Sequence, residues 1–62
     1  MGELETLLQG FVDRADICAE DTRDVQMVQV IAFMAQSGII KDLTYQKFIN
    51  LLAQLKQIIP DD

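Results

Sequence analysis

Few side chains in this chain can do chemistry, and their spacing limits what that chemistry could be. There is no histidine, one cysteine (Cys18) and one serine (Ser37). A nucleophile needs a base within hydrogen-bond reach, and here neither the thiol nor the hydroxyl has an imidazole to serve it. Cys18 falls on a stripe of apolar residues, where a thiol is expected to be an inert core group. Acids are more abundant: five lie between positions 13 and 24, namely Asp13, Asp16, Glu20, Asp21 and Asp24. Such a run invites a calcium-loop reading, but an EF-hand needs alternating oxygen ligands, a central glycine and a closing glutamate, all missing here. One thiol and no imidazole also make a poor zinc site. No glycine-rich phosphate loop is present. The expectation is a chain that is not an enzyme, with no catalytic residue, metal ligand or cofactor site.

The chain must therefore act through its surfaces, and three helical patterns set those surfaces. Leu4, Leu7, Leu8, Phe11, Val12, Ala15, Cys18 and Ala19 recur at three- and four-residue intervals, predicting a helix over about 3–18. Gly10 lies on its polar side, and Ile17 lies off its apolar stripe as a surface residue or a contact to a second chain. A second helix is expected over about 22–37, capped by Asp21 and stopped by Gly38, with Ile39 placed to pack back on Met34. A third is expected over about 45–59. Thr44 caps it, Leu43 and Phe48 form a hydrophobic staple around that cap, and Pro60 ends it.

The second helix is the unusual one. Its apolar side chains fill an arc of about 220°, roughly twice the stripe by which a surface helix meets one core. Helices packed on two sides would cover most of that arc. Val25 and Val30 would stay at its margins, and Phe33 would stand among Gln26, Gln29 and Gln36 with nothing from its own chain to cover it.

Composition points the same way. Sixty-two residues form at most one domain, near the lower size limit for folding alone. Chains this short rely on disulfides, metal or association, and a single cysteine excludes an internal disulfide. Half of the residues are hydrophobic, which argues against disorder. No apolar run approaches the roughly 20 residues of a membrane span, and the first residues carry Glu3 and Glu5 in place of a basic leader region. A single reduced thiol fits a cytoplasmic location.

The net charge of −5 sits wholly in residues 1–24, where seven acids face Arg14 and Arg23. That half disfavours nucleic acid and anionic membranes, and leaves Asp13, Asp16 and Glu20 as an acidic face for a basic protein surface.

The expected fold is all-α: three short helices in a compact antiparallel bundle, completed by homodimerisation through the central helix. The expected function is a non-enzymatic protein–protein interaction module with a regulatory or adaptor role. Its interface comprises Val25, Gln26, Gln29, Val30 and Phe33, and its partner is a second copy of the chain. Two alternatives compete. The second and third helices imitate a helix-turn-helix, with Gln46, Lys47, Asn50, Gln54 and Gln57 on the outer face, where Asn and Gln can read adenine. Against it stand a connection at 37–43 longer than the three or four residues usual in that motif and only three lysines to meet phosphates. The other alternative is an acidic mimic of nucleic acid that occupies a basic DNA-binding protein.

Overall fold

A computed structural model describes residues 2–60, which fold into three α-helices with no strand among them. Helix α1 spans Glu3–Arg14, α2 spans Thr22–Gln36 and α3 spans Tyr45–Ile58. The central helix packs against both of the others. Its midline residues Met27 and Ile31 are fully buried, and with Leu8, Phe48 and Leu52 they make the core. Met27 and Ile31 stand at the middle of the wide apolar arc, so the two neighbouring helices shield its centre. Val28, Ala32 and Met34 are half-buried against the same cluster. No helix among the described residues is long and apolar enough to cross a membrane.

Local signals set both ends of α2 and the start of α3. The Asp21 carboxylate accepts from the amide of Asp24 at 3.2 Å, and the Thr44 hydroxyl accepts from the amide of Lys47 at the same distance. Each satisfies one of the backbone donors that a helix start leaves open. At the far end of α2, Gly38 adopts φ 80°, and its amide donates to Ala35. The amide of Ile39 donates to Met34 at 2.9 Å, completing a Schellman turn. The Ile39 side chain does not follow its backbone. It is 67% exposed, and its neighbour Ile40 packs against the core instead.

Helix α1 departs from the sequence expectation: it ends at Arg14, short of position 18. The terminator is Asp16, whose φ of 57° is left-handed. Its amide donates to Asp13 at 3.2 Å and that of Ile17 to Val12 at 3.1 Å. This is the same Schellman geometry as at Gly38, built on an aspartate, which tolerates the left-handed region better than most side chains. The early stop relocates two side chains. Ile17 is the apolar residue that closes the turn and is half-buried against the core, so it is not a stray surface residue. Cys18, expected on the buried stripe, lies beyond the helix and is exposed.

Aromatic packing joins α1 to α3. The Phe11 ring meets Tyr45 edge-on at 5.7 Å and Phe48 tilted at 5.5 Å, and the Arg14 guanidinium lies 4.1 Å over the Tyr45 ring. Such contacts add about 0.5–1.5 kcal/mol beyond their buried area.

Candidate functional site

The central helix carries the candidate interface, and its surroundings explain why that strip is left open. Helix α1 lies beside Val25 and Val28, while α3 ends on the other side at Ile59. Between them runs a ridge of Gln26, Gln29 and Phe33. Phe33 is 64% exposed and is the one aromatic ring on α2, and Val30 one turn before it is also exposed. Gln26, Gln29, Val30, Phe33 and Ile59 line a shallow groove of about 400 Å³. Of the residues expected from the sequence, all but Val25 therefore meet in one depression.

Val25 is placed elsewhere. It lies in a second groove of about 230 Å³, between α1 and α2, with Val12, Ile17 and Val28. Gln29 borders both grooves, so the ridge of α2 has an apolar furrow on each side.

Ile59 joins the groove through a contact that no local sequence pattern announces. Arg23, at the second position of α2, reaches across to α3 and donates to the carbonyls of Lys56 at 2.5 Å and Ile59 at 3.1 Å. The last carbonyls of a helix lack partners within it and carry the negative end of its dipole, so a guanidinium there serves as a cap supplied by another helix. The pairing spans 33 and 36 residues of chain, far outside the range over which helical periodicity acts.

The acidic residues do not gather into a binding centre. Asp13, Asp16 and Glu20 are not buried, and Asp13 accepts from the Gln9 amide at 2.9 Å. Asp16 is committed to the turn after α1. No group of three or more His, Cys, Asp or Glu among the described residues is placed to hold a metal ion. A cleft of about 270 Å³ where the turn after α1 meets α2 and α3 is lined by Asp16, Asp24 and Lys56 around an apolar floor that includes Leu52.

On the outer face of α3, three of the groups expected to read bases or meet phosphates are engaged within the chain. The Gln46 amide donates to Asn50 at 3.2 Å. The Lys47 ammonium donates to the carbonyls of Lys41 and Asp42 at 3.1 and 3.2 Å, closing the connection before α3.

Comparison with protein-family models, characterised proteins and solved structures finds no match for this chain.

Proposed function

We propose that this chain is a non-catalytic helical interaction module that acts as a homodimer, in a regulatory or adaptor role in the cytoplasm. In this reading the three helices form an antiparallel bundle that a second copy completes through α2. The observation that carries the reading is Phe33, a largely exposed ring on the rim of a groove formed by its own helix and Ile59. A monomer gains nothing from presenting that ring to water, because a buried phenylalanine contributes about 1.5–3 kcal/mol that an exposed one does not. Among the described residues the core is Leu8, Met27, Ile31, Phe48 and Leu52. For so small a core, a further apolar contact adds a substantial fraction to what holds the chain folded. Association with a basic protein through Asp13, Asp16 and Glu20 is compatible with this arrangement, since those acids lie outside the groove.

Sedimentation over a dilution series at micromolar concentrations tests the reading. The expected result is a reversible species of twice the 7.0 kDa chain mass, which Phe33→Ser converts to monomer with helicity retained. A single species at chain mass throughout the series would refute it. The helix-turn-helix alternative gains no support from α3, where Gln46, Asn50 and Lys47 are occupied by neighbours in their own chain.

A further inference from the structure

The three helices are not held equally. Among the described residues, the hydrogen bonds that join one helix to another come from Arg23, and they tie α2 to the end of α3. The connection between these two helices is fastened as well. The Lys47 ammonium donates to the carbonyls of Lys41 and Asp42, and Ile40 and Leu43 pack against the core. Side-chain caps open both helices, from Asp21 and Thr44. The buried core residues Met27, Ile31, Phe48 and Leu52 all belong to this pair.

Helix α1 lacks such fastenings among the described residues. It starts at Gly2 without a side-chain cap, and Leu8 is its one buried residue. Gly10 in its interior lowers the helix equilibrium about fivefold against alanine. What holds α1 is packing: Phe11 against Tyr45 and Phe48, Arg14 over the Tyr45 ring, and the half-buried Leu4, Val12 and Ala15. In the connection that follows, Asp16 stands in the left-handed region that glycine adopts more readily, and residues 18–21 are all exposed. Asp42 in the second connection is left-handed too, but there Lys47 binds the backbone on the spot.

We infer that α1 is a lid. It leaves the core as a unit, turning about the 15–21 connection, while α2 and α3 stay paired. Elements with few buried contacts open below the free energy of global unfolding, as cooperative units that often coincide with single motifs. Opening parts Phe11 from Phe48 and Arg14 from Tyr45, so it uncovers Phe48, which is fully buried when α1 is in place. The inference does not rest on the homodimer reading, which concerns the strip around Phe33.

Native-state hydrogen exchange across a series of low urea concentrations tests it. Amides 8–12 of α1 should share one opening, with protection lower than that of amides 49–53 of α3 by about ten times or more. The urea dependence of that opening should be smaller than that of α3 but not zero. Arg23→Gln weakens the clasp between α2 and α3 and leaves the contacts of α1 untouched. It should lower protection in α3 about fivefold and leave that of α1 unchanged. Equal protection in α1 and α3, or an equal fall in both on Arg23→Gln, would mean that the chain opens only as a whole and would overturn the inference. Urea-independent exchange in α1, differing from residue to residue, would mean local fraying and overturn it as well.

Discussion

The guanidinium of Arg23 donates to the carbonyl of Ile59 across 3.1 Å, tying the first turn of α2 to the end of α3. Because Ile59 also walls the groove beside Phe33, one side chain bears on both the stability of the helix pair and the shape of the proposed interface. Replacing it removes two charge-assisted hydrogen bonds from a half-buried site. Arg23→Gln should destabilise the fold by about 1–2 kcal/mol, read as a lower urea midpoint. Both bonds leave the same terminal nitrogen, Nη2, so Arg23→Lys, with three donors on one nitrogen but a shorter reach, should recover part of the loss.

The left-handed residues that end α1 and α2 make opposite predictions. Gly38 has open space where a Cβ would stand, so Gly38→Ala should lose about 1 kcal/mol through backbone conformation alone. Asp16 holds the equivalent position after α1 with a side chain already present. Asp16→Gly should therefore be neutral or stabilising by up to about 1 kcal/mol, with thermal melting as the measure.

Gly10 sits inside α1, and no neighbouring atom lies within 4 Å of where an alanine methyl would stand. Gly10→Ala should stabilise the chain by roughly 0.5–1 kcal/mol, seen as a rise of several degrees in melting temperature for a domain of this size.

Two phenylalanines should respond in opposite ways. Phe48 is fully buried, and Phe48→Ala should cost about 3–5 kcal/mol, enough to abolish cooperative melting in so small a core. Phe33→Ser should leave the monomer fold within about 0.5 kcal/mol and act on association. Circular dichroism and sedimentation of the two variants separate these outcomes.

Cys18 should react with a thiol reagent in the native state at a rate close to that in urea, because its side chain is exposed. Strong protection in the folded protein would mean that a contact covers the 15–21 connection.

What could be read from the sequence was whatever is local. The roles of Asp21 and Thr44 as caps and of Gly38 as a terminator are each decided within a turn of helix, and the structure shows all of them. Met27 and Ile31 at the centre of the apolar arc are buried for the reason the helical wheel gives. The end of α1 was hidden because its left-handed residue is an aspartate, and the apolar spacing runs on through Ala15, Cys18 and Ala19 as though the helix continued. That one turn moved Ile17 inward and Cys18 outward. Helical spacing groups Val25 with Phe33 because a wheel shows an angular margin but not which neighbour occupies it, and α1 does. Arg23 and Ile59 meet only after α2 and α3 have packed, so nothing in either segment alone could pair them.

The connections between helices, 15–21 and 37–44, are short, and the dominant packing is between helices that follow one another in sequence. Proteins built this way form most of their contacts without closing long loops, and they fold in microseconds to milliseconds. A chain with so few buried side chains opens often. Its persistence depends on how quickly it closes again, and a rapid return leaves proteases and aggregation little time to act on the open form.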